Sequence, residues 1–427
     1  MLRFLIYFIV VAFPLSGYAL TVDDAVNMAL ETNNVIKNKA SLVEAREYES
    51  KNAILVYFPS IGASYNYGQY WDDYTTAKKP DENYDSSSAV ISATFNIFNG
   101  LHDKNVVDVA KLGQEMASTD LAASKYDIIL KARNDFISVL KAQSNLKVAE
   151  ENLQLLRMQK RDAQLSADNG LIARNDLLQV DTYLASAELQ RINAQSALVI
   201  ARQTLENTIN KPIGSDEILV EPVMSNVIIE SEEVLKDKMF QNNSQIKYLE
   251  QSYTVAKKSE NMVKSSLYPT IDLKASYSAY GDDVWAWSGS KGAKDSSTTV
   301  GVTASWNLLN AFSGYYQSRG KKKETMALGY TIADTKQAMT LQLNAAIETH
   351  LTALATLEQS EISVESAEEN FRVIKNQYDQ SAATMTDLLN ASVLLNEAKV
   401  AKSNAVYDVI SSVYSLERLV EEELPIQ

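Results

Sequence analysis

The sequence has no cysteine. That excludes a disulfide framework, a thiolate metal site and a cysteine nucleophile. It has two histidines in 427 residues, His102 and His350, and neither lies in an HExxH or similar ligand spacing. Proline (seven) and glycine (fourteen) are scarce, which argues against a loop-rich or disordered chain. Positive charge is in deficit: 40 Lys and Arg stand against 54 Asp and Glu, a net charge of −14. A nucleic-acid binder needs a basic face, so no nucleic acid is expected as a partner. Gly289-Ser290-Lys291-Gly292 lacks the spacing of a phosphate loop, and no catalytic constellation appears elsewhere. The chain reads as no enzyme, with no cofactor and no bound metal. After residue 19 no apolar run reaches the roughly 18 residues of a membrane-spanning helix.

What is present begins with a targeting segment. Residues 1–19 carry one positive residue, Arg3, then the apolar stretch Phe4 to Phe13, then Pro14. Gly17 and Ala19 are the small residues of a cleavage site, so 1–19 reads as a signal peptide and the mature chain as exported. No cysteine follows the cleavage site, so no N-terminal lipid anchor is expected.

The remainder repeats itself once. Leu30-x-x-Asn33-x-x-Ile36-Lys37 recurs as Phe240-x-x-Asn243-x-x-Ile246-Lys247, and Phe58-Pro59-Ser60 as Tyr268-Pro269-Thr270, both at an offset of 210. Phe95-Asn96-Ile97-Phe98-Asn99 recurs as Trp306-Asn307-Leu308-Leu309-Asn310, and Asp176-Leu177-Leu178 as Asp387-Leu388-Leu389, at 211. A period this long marks a duplicated half-molecule. The copies span 20–210 and 230–427, with 211–229 as the linker.

Each copy opens with a helical stretch, 21–57 and 231–267, which Pro59 and Pro269 terminate. Two alternating segments follow in each, about 60–70 and 89–98, then about 270–280 and 298–309. Ile61, Ala63, Tyr65 and Tyr67 alternate with polar Ser64 and Asn66. Ile91, Ala93, Phe95 and Ile97 match Val302, Ala304, Trp306 and Leu308. A period of two with one greasy and one polar face is a strand between two different environments. Polar loops rich in Trp and Tyr join the strands over 71–88 and 281–297.

Long helices fill the rest: 103–169 and 173–210, then 314–380 and 384–422. A helix of 67 residues is about 100 Å long. Leu177, Val180, Leu184 and Ala187 begin a row at a mean spacing of about 3.5, copied by Leu388, Ala391, Leu395 and Ala398. Leu146, Ala149, Leu153 and Leu156 begin the facing row, copied by Leu357, Ser360, Val364 and Ala367. That is the seam of an antiparallel coiled coil.

Four short strands cannot close a barrel; about eight or more are needed. If these strands meet lipid, several chains must pool them: two chains give eight strands and three give twelve. Trp71, Trp285 and Trp287 lie at the loop end of the strands, and Tyr57, Phe58, Tyr268 and Trp306 at the helix end. Two such clusters bracketing apolar strands read as membrane-interface girdles. Lys321-Lys322-Lys323 reads as a solvated face rather than a lipid-headgroup site. His350 reads as a packing residue.

The plan of helix, strand pair, very long helix, tight turn and long helix, done twice, resembles the TolC family of outer-membrane channels. Ala29-Leu30-x-x-Asn33, Tyr57-Phe58-Pro59, Gly170-Leu171-x-x-x-x-Asp176-Leu177 and Thr384-x-x-Asp387-Leu388-Leu389 carry the resemblance, which covers the whole mature chain. It implies a mainly α fold with a small β part. Long antiparallel coiled-coil helices form a tunnel, and four strands per protomer contribute to a trimeric twelve-stranded outer-membrane β-barrel. It implies an outer-membrane location with a long periplasmic extension, and a small equatorial region from the linker and the chain ends. It implies a homotrimer set in outer-membrane lipid, working with a periplasmic adaptor protein and an inner-membrane transporter of the ABC, RND or MFS type. The function implied is an exit duct for type I protein secretion, small-molecule efflux or both. A structural or adhesive coiled-coil protein of the cell envelope, without a pore, is the alternative reading.

The resemblance also places a gate just after the helix-to-helix turns. The matching positions are Asp387 and Asn390, with Asp176 and Gln179 as first-half counterparts and Tyr378 as a closing tyrosine. The arginine expected near Tyr378 is replaced by Ala383, and Ser381 stands where a glycine is usual. In a trimer Asp387 would form a ring of three carboxylates that attracts cations. An Asp in a first helical turn also simply complements the helix dipole, and both explanations stand.

Overall fold

A computed structural model describes residues 20–72, 82–214, 217–222, 230–289 and 294–424. The signal peptide assigned to 1–19 lies outside the described residues, as do parts of the two loops, of the 211–229 linker and of the C-terminal tail.

The first helix, α1 (Val22–Thr32), starts on a capping box. Thr21 Oγ1 accepts from the Asp24 N–H at 3.1 Å, and the Asp24 carboxylate accepts from the Thr21 N–H at 3.2 Å. Next come α2 (Asn34–Ile54), a single 3-10 turn (Leu55–Tyr57), β1 (Ser60–Asp72), β2 (Glu82–Phe98), α3 (His102–Asp168) and α4 (Arg174–Ile209). The series then recurs as α5 (Glu232–Asn242), α6 (Ser244–Lys264), a 3-10 turn (Ser265–Leu267), β3 (Thr270–Gly281), β4 (Ser296–Ser305), α7 (Leu308–Asp379) and α8 (Met385–Val420). α1 and α5 have 11 residues each, α2 and α6 21, α4 and α8 36.

Strand β2 starts at Glu82 rather than near 89, so 82–88 of the expected loop are strand, paired with 66–72. Two further features differ from the sequence reading. The opening helical stretches are broken at Asn33 and Asn243, whose backbones are extended. Each asparagine uses its side chain elsewhere in the fold. Asn33 Nδ2 donates to the Thr208 carbonyl at 3.1 Å and Asn243 Nδ2 to the Leu419 carbonyl at 3.0 Å. These are carbonyls in the last turns of α4 and α8, which have no intrahelical donor.

The second difference lies after β4, expected to reach residue 309. It ends at Ser305, and Leu308 and Leu309 already belong to α7. Asn307 is the reason: its side-chain Oδ1 accepts from the Asn310 N–H at 3.1 Å, and its carbonyl accepts from Ala311 at 3.1 Å, the geometry of a helix N-cap. In the first copy the matching residues stay extended to Phe98, and the turn is made by Gly100 and Leu101, both at positive φ (67° and 65°). A Cβ on Gly100 would stand 2.7 Å from the Ser265 carbonyl, so the turn needs glycine.

Cα packing divides the chain into two units, one of Met1–Asn38, Ala122–Ser244 and Gln337–Gln427, the other of Lys39–Leu121 and Gln245–Lys336. In the first, the coiled-coil rows form the core. Leu388, Ala391, Leu395, Ala398, Ala405, Val409, Ser412 and Leu416 are all buried on α8, and Ala149, Leu153, Leu156 and Ala163 on α3. His350 of α7 is 2% exposed and lies 2.8 Å from Ser412 Oγ. The Ser412 hydroxyl hydrogen points to the Val409 carbonyl at 2.6 Å, so Ser412 Oγ is the acceptor and His350 Nδ1–H the donor. Leu20 pairs with the linker residue Leu219: the Leu20 N–H donates to Ile218 O and the Val220 N–H to Leu20 O, each at 2.9 Å.

In the second unit the strands form one antiparallel sheet in the order β1-β2-β3-β4. β2 pairs with β3, so strands from the two copies meet at the centre of the sheet. β1 and β4 are its edges.

Candidate functional site

The two helix-to-helix turns belong to the first unit. α3 and α7 end on the same device. Gly170 (φ 72°) and Ser381 (φ 62°) adopt the left-handed conformation, 211 residues apart. The Gly170 N–H donates to Ala167 O (2.9 Å) and the Leu171 N–H to Ser166 O (2.8 Å). The Ser381 N–H donates to Tyr378 O (2.8 Å) and the Ala382 N–H to Gln377 O (2.7 Å). These are paired Schellman motifs.

The helices that follow start on the acids picked out in the sequence. Asp387 is in a full capping box with Thr384. Its Oδ2 accepts from the Thr384 N–H at 2.9 Å and from Thr384 Oγ1 at 2.6 Å, and its own N–H donates to Thr384 Oγ1 at 3.2 Å. These hydrogen bonds hold its carboxyl below the usual carboxylate range. Asp176 does half of this, accepting from the Ala173 N–H at 3.3 Å, because alanine offers no hydroxyl in return. Asn390 is exposed. Gln179 is tied across to the other turn: its Oε1 accepts from Thr386 Oγ1 at 3.0 Å.

Tyr378 packs half-buried against a cluster of Leu153, Leu156, Ala163, Val180, Met385 and Leu389. Burial raises its phenol pKa, and the negative charges of Asp176 and Asp162 add to the rise. Its hydroxyl has no hydrogen-bond partner among the described residues, so Tyr378 stands near Asp176 without bonding to it. The sequence reading did not count Thr384 or Thr386 among the site residues. The Thr-x-x-Asp spacing of a capping box was the available signal for the first.

The second unit supplies the sheet face. The register sets Ile61 opposite Ala93, Ala63 opposite Ile91, and Tyr65 opposite Ala89. It continues with Ile91 opposite Tyr277, Ala93 opposite Ala275, and Phe95 opposite Leu273. Val300 and Val302 complete it opposite Ala275 and Leu273. One apolar face therefore runs unbroken across four strands. The opposite face carries Ser64, Asn66, Ser92, Ser276, Lys274 and Thr303, with Asn96 Nδ2 donating to Asp272 Oδ1 at 2.8 Å. The apolar side is open: Ile61 is 76% exposed and Val300 70%. A bulge shifts the register between Asn96 and Phe98, so Phe98 and not Ile97 pairs with Ile271. From Ile61 to Tyr67 the face is about 20 Å long, at roughly 3.3 Å per residue, close to the apolar band of a membrane barrel.

The aromatics flank this face. Trp71 is the penultimate residue of β1, and Trp285 and Trp287, with ring centroids 6.0 Å apart, lie in the β3–β4 connection. The Tyr65 hydroxyl reaches over to the Val284 carbonyl of that connection. Tyr57, Phe58, Tyr268 and Trp306 lie at the other end, and Tyr268 meets Phe98 edge-on at 6.4 Å. All seven predicted girdle residues are exposed.

Among the described residues no group of three or more His, Asp and Glu could hold a metal ion, and no helix is long and apolar enough to cross a membrane. The outer membrane efflux protein model matches the sequence twice, over residues 25–211 and 235–421. The chain belongs to the outer membrane efflux protein family. Its place is the outer membrane, and it is a channel rather than an enzyme. It is 23% identical over 346 residues to the outer membrane protein TolC of Vibrio cholerae, covering 78% of this chain and 77% of that one. It is 21% identical over 418 residues to the alkaline protease secretion protein AprF of Pseudomonas aeruginosa, covering 93% and 83%. Among solved structures it shares the fold of the CmeC outer membrane channel of Campylobacter jejuni, with a TM-score of 0.82 at 14% identity, over 94% of this chain and 86% of that one.

Proposed function

We propose that three copies of this chain form an exit duct, each giving four strands to a common twelve-stranded barrel and its long helices to a periplasmic tunnel. The observation that carries this is the sheet. Its apolar face is continuous and exposed, and its edge strands β1 and β4 have no strand partner among the described residues. An open edge cannot face lipid, because unpaired backbone groups there cost several kcal/mol each. Closing the ring with further copies satisfies both requirements.

In this reading 1–19 is the export signal, 20–210 and 230–427 are the two copies, and 211–229 joins them. Transport is driven by an inner-membrane pump of the ABC, RND or MFS type through a periplasmic adaptor. Likeness to a protein named for alkaline protease secretion, over nearly the whole chain, favours type I protein secretion as its function. Trp71, Trp285 and Trp287 mark the outer girdle, and Tyr57, Phe58, Tyr268 and Trp306 the inner one. Asp387 and Asp176, with Asn390 beside the first and Tyr378 packed below, form the narrow end of the tunnel.

The test is the mass of the protein extracted in mild detergent, from light scattering corrected for bound detergent. A trimer recovered only from the outer-membrane fraction supports the duct. A water-soluble monomer rejects it.

A further inference from the structure

In the second unit, ion pairs tie four helical segments in the order α2, α3, α6, α7. Lys39 pairs with Asp120 at 2.6 Å, Lys258 with Asp108 at 2.7 Å, and Lys336 with Glu250 at 2.8 Å. α3 and α6 are flanked on both sides, whereas α2 and α7 end the row. Exposure follows this order. Tyr316 and Tyr330 of α7 are both 73% exposed, while their α3 counterparts 211 positions earlier, Asn105 and Thr119, are 7% and 6% exposed. Glu44, Ala45, Tyr48 and Asn52 of α2 are exposed, while their α6 counterparts 210 positions later, Thr254, Val255, Lys258 and Met262, are half-buried. Each end helix thus lacks a neighbour that its counterpart has. The edge strands lie at the same two ends, since α2 leads into β1 and β4 into α7.

The α3–α6 contact supplies the register in which the two free faces fit. α3 leaves the sheet and α6 enters it, so they run antiparallel. Its anchor is Asp108 against Lys258. The same contact shifted by one repeat sets Arg319 against Tyr48 of the neighbouring copy. One turn along, four residues on for α7 and four back for α2, Lys323 meets the neighbour's Glu44. The strands agree. Ile91 stands opposite Tyr277, and the same shift sets Val302 opposite the neighbour's Tyr67. Both belong to the apolar face, which therefore continues across the seam; a slip of one residue would turn one strand inside out.

The chemistry of the two faces is complementary. Lys323 and Glu44 are exposed and have no ion-pair partner among the described residues. Tyr48 is 71% exposed, and a guanidinium over its ring makes a cation–π contact. Lys51, a turn away from Tyr48, is neutralised by Glu47 at 2.5 Å. Of the run 321–323 only Lys323 lies on this face: Lys321 is paired with Glu324 at 2.7 Å, and Lys322 matches the exposed Lys111 of α3. The polarity is the reverse of that inside the chain, where α3 brings the acid and α6 the lysine. Exchanging the two kinds of seam would set Arg319 against Lys258, and Asp108 on the side of Glu44.

We infer that α7 docks on α2 of the neighbouring copy in this register, Arg319 on Tyr48 and Lys323 on Glu44, and that the reversed charges keep the seam between copies from being exchanged with the seam inside each copy. This docking rests on the three-copy reading above and adds to it the side chains that meet.

The absence of cysteine makes disulfide trapping a clean test. Full-length protein carrying Lys323→Cys and Glu44→Cys is oxidised in the membranes of the expressing cell and run on a non-reducing denaturing gel. Each single variant runs beside it, with a misplaced pair, Lys323→Cys and Leu55→Cys, whose α2 position is about 16 Å further along the chain. The first pair is expected to give a covalent trimer and the others none. A trimer mass in mild detergent without cross-linking of the first pair overturns the register and leaves the duct standing. A monomer mass overturns the duct reading, and the seam with it. For the charges, Lys323→Glu is expected to shorten the half-life of the trimer in a fixed denaturing detergent about tenfold, since two seams open as one copy leaves and each has an attraction turned into a repulsion. Lys323→Glu combined with Glu44→Lys restores opposite charges at every seam and is expected to restore the half-life. A combined variant that lasts no longer than Lys323→Glu alone overturns the charge pairing.

Discussion

Asn33 and Asn243 stand 210 residues apart and act in the same way. Each breaks its own helix and turns its amide onto a carbonyl near the end of another, Thr208 on α4 and Leu419 on α8. Both recipient helices stop on a residue in the left-handed conformation, Asn210 (φ 51°) and Glu421 (φ 54°). Each asparagine is thus a staple between the short opening helix and the end of the long closing one.

Replacing either by alanine removes the staple and leaves a carbonyl without its donor. Asn243 is 3% exposed, so Asn243→Ala is expected to cost about 1–3 kcal/mol, and Asn33→Ala, in a wetter site, about 1. Thermal unfolding in detergent followed by circular dichroism orders the two. A larger loss for Asn33→Ala would contradict the burial argument.

Ser381 carries a conformational strain that Gly170 avoids, since a side chain in the left-handed region is destabilised by roughly 1–2 kcal/mol. Part of that is offset by the greater freedom of glycine in the unfolded chain. Ser381→Gly is expected to stabilise by about 0.5–1 kcal/mol, and Gly170→Ala to destabilise by about 1. Both are read from melting temperatures of the purified protein.

His350 is held neutral by burial, with a pKa below its ordinary value near 6.5. A histidine depressed in the native state contributes stability that is complete above that ordinary value and disappears as pH falls through the lower native one. Melting temperatures measured from pH 8 down to pH 5 should therefore fall at the acid end. In His350→Phe that acid limb should flatten, with loss of the Ser412 hydrogen bond at all pH values. An unchanged limb would assign the acid sensitivity to other groups.

Asp387 has two candidate roles, capping α8 and attracting cations in a ring, and two variants separate them. Asp387→Asn removes the charge. It should weaken inhibition of single-channel conductance by divalent cations about fivefold or more, on roughly 1 kcal/mol of lost attraction. Thr384→Ala weakens the cap and keeps the carboxylate, so inhibition should stay near its parental level. Equal shifts in both variants would make the cap, and not a ring, the source of the effect.

Much of this architecture was legible because it rests on periodicity. The 3.5 spacing of Leu388, Ala391, Leu395 and Ala398 and the alternation of Ile61, Ala63, Tyr65 and Tyr67 are properties of the chain itself, and the structure keeps them. Prolines 59 and 269 mark the passage from helix to strand in both copies. The breaks at Asn33 and Asn243 were not legible, because the amide that stabilises each break finds its partner some 175 residues away. Nor was the different fate of Asn96-Ile97-Phe98 and Asn307-Leu308-Leu309. Both segments suit a strand, and only the capping geometry of Asn307 commits the second to helix. At the turns, residue type marked the acids, but whether Asp387 turns its oxygens to Thr384 is a matter of rotamer that spacing only suggests.

The contrast between Asp108 and Arg319, at matching places in the two copies, bears on how such a ring can evolve. Six separate half-length subunits would all share one sequence, and a change in one would be a change in all six. Fusing the halves into one gene lets alternate positions diverge. Acidic and basic staves can then alternate around the wall, which a ring of identical halves has no genetic means to make.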